Sequence, residues 1–383
     1  MLTKSSDYLK KNEREKSMSD NAVFTQKCPN CGGPLLFDPK SQKFHCNYCG
    51  SSFSKDEVSA AEEKQVDASF SSALTENAVS TDNNETTQES SEVGLFLCPS
   101  CGAEIVTDAT TASTFCYYCH NPVLLTERLS GTFLPEKVIP FQIERETAEQ
   151  HFLNWVGKKK FIPKAFFNKK QIENLSGVYF PYWQVEASVA GNLSARGRTV
   201  RVWVQGDTEF TETSDYAIER KGSSEFKDLV KKALQKNLSD HLVGAVEPFD
   251  FSQAVTFQSQ YLAGFLTEKR DIEFNTLEDQ VENEFQNYAT QLMKNTITGY
   301  VSVTQEQANQ TLQKMEKAYV LLPIWLLTYR EPGRDKLYYY AMNGQTGKVA
   351  GVLPIDQAKL IITTAFFAVI LLIIGLAVGY LLS

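Results

Sequence analysis

The feature that most constrains this chain is a cysteine pattern that occurs twice. Each copy has the form C-P-x-C-G, with fourteen residues between its two cysteine pairs, and ends in C-x-Y-C. The proline, the glycine and the tyrosine recur together with the cysteines. The two copies use all 8 cysteines of the chain: Cys28, Cys31, Cys46 and Cys49 in the first, and Cys98, Cys101, Cys116 and Cys119 in the second.

Two C-x2-C pairs at this spacing are typical of a tetrahedral site in which four thiolates hold one Zn²⁺ ion. The glycine after the second cysteine of each copy, Gly32 or Gly102, supplies the positive φ that such a turn needs. We therefore predict two zinc ions per chain, each in a small zinc ribbon. Iron in a rubredoxin-like site stays open, because it uses the same four thiolates. His45 and His120 adjoin ligands, but a complete cysteine quartet leaves them no position to fill.

The composition indicates a globular protein that lies mainly in the cytoplasm. A length of 383 residues allows two or three folding units, and a hydrophobic fraction of 42% is ordinary for such proteins. The formal net charge of -8 disfavours general nucleic-acid binding, which relies on clustered Lys and Arg. The N-terminus has no apolar core of the kind a signal peptide requires, and this also disfavours a disulfide framework.

Changes in composition divide the chain into six segments. The acidic, Ser- and Thr-rich linker predicts a first ribbon that ranges away from the rest, whereas the second ribbon runs almost directly into the large domain and should pack there. The segments are a disordered tail (1–25), zinc ribbon 1 (26–57), an acidic flexible linker (58–94), zinc ribbon 2 (95–128), an α+β cytoplasmic domain (129–357) and a transmembrane helix (360–382).

The large domain mixes helical and strand patterns, so the predicted fold class is α+β. One amphipathic helix follows Thr147, the expected N-cap, and the dipeptide Asn343-Gly344 is a hairpin signal. Alternating or β-branched runs predict strands, and period-3.6 runs predict helices. The predicted strands are 178–190, 199–204, 298–304, 320–329, 336–342 and 348–353, and the further helices are 225–242 and 278–293.

Two runs in this domain share the order apolar, apolar, Pro, apolar, Trp: residues 179–183 and residues 321–325. The similarity suggests a duplicated strand unit. A proline inside a strand belongs at an edge or a bulge, and the tryptophan two positions later shares its face. Packing explains both features, and we favour it over a ligand groove.

The C-terminal segment from Leu360 to Leu382 has no charged residue, and as a helix it is long enough to cross the ~30 Å hydrocarbon core of a bilayer. We predict a single membrane span with the N-terminus in the cytoplasm, since Lys348 and Lys359 precede it. Gly375 and Gly379 form a G-x3-G that allows a homodimer through close helix contact.

Motifs of common enzymes are missing from the sequence. Residues 344–349 superficially resemble a phosphate-binding loop, but the spacing G-x4-G-K-[ST] is absent and the context is a hairpin. No G-x-S-x-G, H-E-x-x-H or G-x-G-x-x-G occurs, and every thiol belongs to a metal pattern. We predict that the protein is not an enzyme.

With the paired ribbons, the runs Y-F-P-Y-W and L-L-P-I-W-L-L-T-Y, the segment M-N-G-Q-T-G-K-V-A-G and the final apolar helix, the chain resembles a bacterial family of membrane-anchored zinc-ribbon proteins. These are described as carrying a transcription-factor-IIB-type zinc ribbon and are sometimes mislabelled as replication-restart helicases. The resemblance covers about residues 95–383. It implies a cytoplasm-facing membrane protein that works with membrane-remodelling or stress-response scaffolds, whereas a helicase would need an ATP-binding loop.

The function predicted from these features is that of an adaptor or scaffold, which uses its ribbons to bring cytoplasmic protein partners to the membrane. The main alternative is a membrane-tethered protein that binds nucleic acid or has a regulatory role, and an enzyme acting through the large domain is a third possibility. In the main alternative, four aromatic side chains of the ribbons could stack on bases: Phe44, Tyr48, Phe115 and Tyr118. Aromatic residues in small metal folds more often pack around the site, which favours the adaptor.

Overall fold

The structure is a computed structural model that describes residues 23–24, 26–61, 94–98, 100–116, 119–129, 131–163, 166, 172–235, 244–330 and 337–382. It is a mixed α+β fold, as predicted. The helices are α1 (residues 55–61), α2 (Arg145–Gly157), α3 (Glu278–Asn295) and α4 (Gln357–Leu382).

The strands are β1 (Val23–Phe24), β2 (Leu35–Asp38), β3 (Lys43–Cys46), β4 (Ser52–Phe53), β5 (Gly94–Leu97), β6 (Glu104–Thr107), β7 (Thr111–Phe115), β8 (Pro122–Leu125), β9 (Lys137–Val138), β10 (Ser176–Gln205), β11 (Thr208–Lys232), β12 (Val255–Thr256), β13 (Leu266–Glu268), β14 (Ser302–Arg330), β15 (Leu337–Asn343) and β16 (Val349–Val352). Most belong to one large sheet, whose main path is β1-β8-β7-β13-β10-β14-β15-β16.

Three long antiparallel strands form the centre of the molecule. Strand β10 has 30 residues and lies between β11 and β14, which have 25 and 29. At about 3.3 Å per residue, β10 spans roughly 95 Å. It joins β11 through the two-residue loop Gly206-Asp207, in which Gly206 has φ +63°, as the first position of a type II′ turn requires. A long β ribbon therefore extends from a globular base.

The two Pro-Trp runs lie opposite each other at the base of β10 and β14. Pro181 is opposite Leu321 and Pro323 is opposite Tyr179. The carbonyls of the two prolines accept from Ala233 and Gly344, which lie outside the β10–β14 pair. The N–H and C=O of a strand residue point to the same side, so the N–H position of each proline also faces away from the partner strand. The missing N–H therefore removes no hydrogen bond between β10 and β14.

Both tryptophans of these runs are packing residues. Trp183 Nε1 donates to Ile272 O at 3.1 Å, and Trp325 Nε1 donates to Ile143 O at 3.0 Å. Both side chains are buried. Their polar atoms are thus satisfied within the core, as buried indoles require, and the packing interpretation of the repeated run is confirmed.

Helix α3, which was predicted at residues 278–293, covers one face of the ribbon. Its buried residues follow a strict spacing of four, so they form a single stripe: Val281, Phe285, Ala289 and Met293. Phe285 lies 5.4 Å from the ring of Phe226 in β11, and Lys231 of β11 forms an ion pair with Glu284. On the opposite face, the base of the ribbon packs against a second apolar cluster that surrounds Phe180 and Leu322.

One predicted helix is wrong for a specific reason. Residues 225–232 were expected to be helical but belong to β11; residues 236–243 lie outside the described part of the chain. A bulge at Asp228, with φ +60°, places Phe226 and Leu229 opposite Ala187 and Val185. Two apolar residues three apart then share one face of a strand, which imitates helical periodicity.

Several predicted boundaries also change. The strands predicted at 178–190 and 199–204 are one continuous strand, β10, and the strand predicted at 298–304 begins at Ser302 as part of β14. Thr147 is not the N-cap of α2: that position is Glu144, and it makes no side-chain capping bond. Residues 23–24, assigned to the disordered tail, form β1 and pair with β8. Val58, assigned to the linker, is buried in α1. The hairpin at Asn343-Gly344 between β15 and β16 is confirmed.

Candidate metal centres and an adjoining cleft

The first cysteine module (residues 26–57) brings its four cysteines together through two similar turns. Cys28 O accepts from Gly32 N, and Cys46 O accepts from Gly50 N, both at 2.9 Å. Both glycines are in the left-handed region, at φ +72° and +71°. The Sγ atoms of Cys28 and Cys49 are 3.6 Å apart, and those of Cys31 and Cys46 are 3.5 Å apart.

The second cysteine module (residues 95–128) repeats this geometry. Cys98 O accepts from Gly102 N, and the Sγ distances are 3.6 Å from Cys98 to Cys119 and 3.7 Å from Cys101 to Cys116. His120 takes the place of the glycine in the second turn, with φ +56°. A histidine thus adopts a conformation that usually needs glycine.

The sulfur positions fit a four-coordinate metal ion. In each module the four Sγ atoms lie within 4.8 Å of one another. Four thiolates at about 2.3 Å from a tetrahedral ion would be separated by about 3.8 Å, close to the four distances above. All eight predicted ligands are therefore placed in two four-cysteine sites, and neither site includes His45 or His120.

The first centre has a hydroxyl group beside one of its ligands. Ser51 Oγ lies 3.3 Å from Cys49 Sγ and accepts from Asn30 Nδ2 at 2.9 Å. The hydroxyl of Ser51, together with its backbone amide, lowers the pKa of Cys49 to about 6. The corresponding position in the second module is Asn121. Such neighbours favour the thiolate, the form that binds metal.

The first module packs against the α+β domain, which corrects the expectation that it ranges away. Phe37 meets Tyr261 edge to face, with ring centroids 5.3 Å apart, and Phe37 N donates to Ala263 O at 3.0 Å. Gln42 Nε2 donates to Phe141 O at 2.8 Å. Burial of these aromatic rings stabilises the contact between the module and the domain. Residues 62–93 of the predicted linker lie outside the described residues.

The second module packs against the same domain, as predicted. Strand β7 pairs with β13, and Ser113 Oγ donates to Phe265 O at 2.9 Å. Its own small core surrounds Phe96, Ile105 and Val123.

A cleft of about 580 Å³ lies where both modules meet the domain. Its apolar lining includes Leu36, Phe265 and Trp325, and its three carboxylates belong to Asp38, Glu144 and Glu146. Partial burial opposes ionisation of Asp38, but donors on Lys40 and Ser41 lower its pKa below the usual value. The cleft therefore combines an apolar surface with negative charge.

The positive groups at this cleft already have partners. Arg145 donates to Glu149 at 2.9 Å and to Glu173 O at 2.9 Å, and Lys40 lies 3.7 Å from Glu144. Sequence reasoning missed the cleft because its walls come from segments far apart in the chain. The only local signal was the position of Asp38 at the end of a strand.

The aromatic residues proposed for base stacking are not equally available. Phe44 is fully buried between Phe37 and Tyr261, whereas Tyr48 is 72% exposed and Phe115 is half-buried. Tyr118 lies outside the described residues. Because Phe44 is buried between the rings of Phe37 and Tyr261, it is not accessible for stacking on a base.

Helix α4 is long and apolar enough to cross a membrane. Its window from Gln357 to Leu376 has a mean hydropathy of 2.5, and none of it is buried. The start of the helix is tied to the domain: Asp356 N donates to Phe161 O at 2.8 Å, and Lys359 Nζ donates to Ile162 O at 2.9 Å. Gly375 has open space around it.

These features define a class: an α+β protein with two four-cysteine sites close enough to bind metal ions and a C-terminal helix apolar enough to span a bilayer. The chain is 30% identical over 337 residues to the uncharacterized protein YdjG of Bacillus subtilis (strain 168), across 88% of this chain and 92% of that protein. It belongs to the family of that protein. No model of a known protein family matches the chain, and no solved structure matches it.

Proposed function

We propose that the protein is a membrane-anchored, non-enzymatic zinc-ribbon adaptor that holds cytoplasmic protein partners at the bilayer. The metal in each four-cysteine site is Zn²⁺, since four thiolates at these separations suit a closed structural zinc site. Helix α4 is the single span, with the rest of the chain in the cytoplasm, and two copies can meet through Gly375 and Gly379.

The observation that carries the adaptor proposal is the cleft between the two modules and the domain. Its apolar surface at Leu36 and Leu266, both partly exposed, and its carboxylates at Asp38 and Glu146 suit a protein segment with apolar and basic side chains. Each zinc ion then has a structural role, because it stabilises the fold of a module that forms one wall of the cleft. Removal of metal would dismantle the binding surface.

Site-specific photo-crosslinking in membranes tests this proposal. A photoreactive residue at position 36 faces the cleft, and one at position 48 lies on the same module outside the cleft lining. We expect a discrete protein adduct from position 36 only. Glu146→Lys should reduce its yield about tenfold, because it reverses one charge that faces the basic partner.

Two outcomes would contradict the proposal. Equal adducts from positions 36 and 48 would mean that the cleft does not select the partner. Recovery of nucleic acid, lost steeply as salt rises, would instead favour the nucleic-acid alternative, because phosphate contacts depend strongly on ionic strength.

A further inference from the structure

The outer end of the β10–β11 hairpin extends beyond the rest of the sheet. Pairing of β10 with β14 ends where Arg198 is opposite Ser302, but β10 and β11 stay paired to Gln205 and Thr208. We call residues 199–214 the hairpin tip. Among the described residues, no third strand pairs with either of its edges. A two-stranded ribbon alone is marginally stable in water.

The hairpin tip carries apolar side chains on both faces. Val200, Val202 and Val204 lie on one face, and Val202 and Val204 are 55% and 67% exposed. On the other face, Trp203 and Phe210 stack with centroids 5.5 Å apart and an interplanar angle of 13°. Exposed apolar groups on both faces of a projecting ribbon mark an interaction site.

The two strands of the tip carry opposite charge. Residues 187–205 of β10 contain Arg196, Arg198 and Arg201 and no acidic residue. Arg198 forms an ion pair with Asp215 of β11 at 2.8 Å, so Arg201 is the basic residue within the tip itself. Residues 207–215, at the turn and in β11, contain four acidic residues and no basic one: Asp207, Glu209, Glu212 and Asp215. One long edge of the hairpin is therefore basic and the other is acidic.

The backbone of each edge is free to accept a further strand. Val301 N donates to Arg198 O at 2.8 Å, the last bond on the β14 side of β10. Since strand residues alternate in direction, the N–H and C=O groups of Val200, Val202 and Val204 face that same open edge. By the same alternation, those of Thr211 and Thr213 face the open edge of β11.

We infer that the basic β10 edge of one hairpin tip pairs with the acidic β11 edge of a second copy. The inference uses the membrane anchor of the proposed function, because copies anchored by the same helix in one bilayer point the same way. Strand β11 of the second copy then runs antiparallel to β10 of the first, as a ladder needs. The interface is head-to-tail, so it can continue into larger assemblies.

Other occupants fit less well. Two-fold pairing of β10 with β10, or of β11 with β11, would bring like charges together across the interface. Insertion of the tip into a bilayer would bury Asp207 and Glu209 at the turn, which is costly.

The test uses full-length chains reconstituted in lipid vesicles and a short thiol-specific crosslinker. One chain carries Val202→Cys and another carries Thr211→Cys, with the unmodified, metal-loaded chain as the blank for native cysteines. We expect a dimer when the two variants are mixed and none when either is used alone. Arg201→Glu in the first chain should cut the yield about tenfold, and Glu212→Arg in the second should restore it.

Each possible outcome tests a different part of the inference. A dimer from Val202→Cys alone overturns the head-to-tail interface in favour of two-fold pairing. Absence of any dimer from chains that sediment with the vesicles overturns the inference while leaving the anchor intact. Chains that fail to sediment refute the membrane anchor instead. Metal content and elution volume of each variant confirm that it is folded.

Discussion

Docking of the first cysteine module depends on Tyr261, and its removal is a quantitative test. The ring is buried, 5.3 Å from Phe37 and 6.0 Å from Phe44. Truncation of a buried aromatic side chain to alanine costs about 3 kcal/mol through lost contacts and the remaining cavity. If the whole cost destabilises the docked state, Tyr261→Ala raises the undocked population about 150-fold, since each 1.4 kcal/mol changes an equilibrium constant about tenfold.

Hydrogen exchange of the full-length protein in detergent measures that population. The reporter is the amide of Phe37, which donates to Ala263 O in the docked state. We expect its protection to fall by about two orders of magnitude. Both metals should be retained, because the ligands of each four-cysteine site lie within one module. Tyr288→Ala is the matched control, since Tyr288 is 43% exposed and lies on α3.

Two results would refute this reasoning. Unchanged protection at Phe37 would mean that the aromatic contact does not hold the module. An equal loss of protection in the second module would mean that the substitution unfolds the domain instead of releasing one part.

Three further predictions follow from local geometry. Gly50→Ala should destabilise the first metal site by about 1 kcal/mol, because a Cβ is strained at positive φ. His120→Ala at the equivalent turn should change the stability of the second metal site little, because His120 already has a Cβ. Titration with a chelator compares the metal affinities of the two variants. Trp183→Phe and Trp325→Phe should each lower the free energy of unfolding by about 1–3 kcal/mol, measured with urea, since each leaves a carbonyl unpaired. Deletion of residues 360–383 should release a soluble protein with two zinc ions; elemental analysis that finds one ion, or iron, contradicts the assignment.

Local patterns in the sequence were sufficient for several features. The cysteine spacing identified both quartets, because C-x2-C turns are closed by backbone bonds within a few residues. The spacing of four in α3 and the Asn343-Gly344 turn are equally local. The uncharged stretch after residue 359 identified the apolar helix by length alone.

The tertiary structure decided what sequence spacing cannot encode. The bulge at Asp228 made a strand resemble a helix, because only the register with β10 determines which residues share a face. The full length of β14 was not predicted, because residues 305–317 are mostly polar and gain their strand conformation from pairing with β10.

The same distinction holds for the functional surfaces. The ligands of each metal lie within 22 residues of sequence, so the chain itself brings them together. The docked first module and the cleft join segments up to hundreds of residues apart. The hairpin tip is local in sequence, but its open edges depend on where the pairing of β10 with β14 ends. The docked module and the cleft form only when segments distant in sequence pack against each other. Local sequence patterns do not specify that packing.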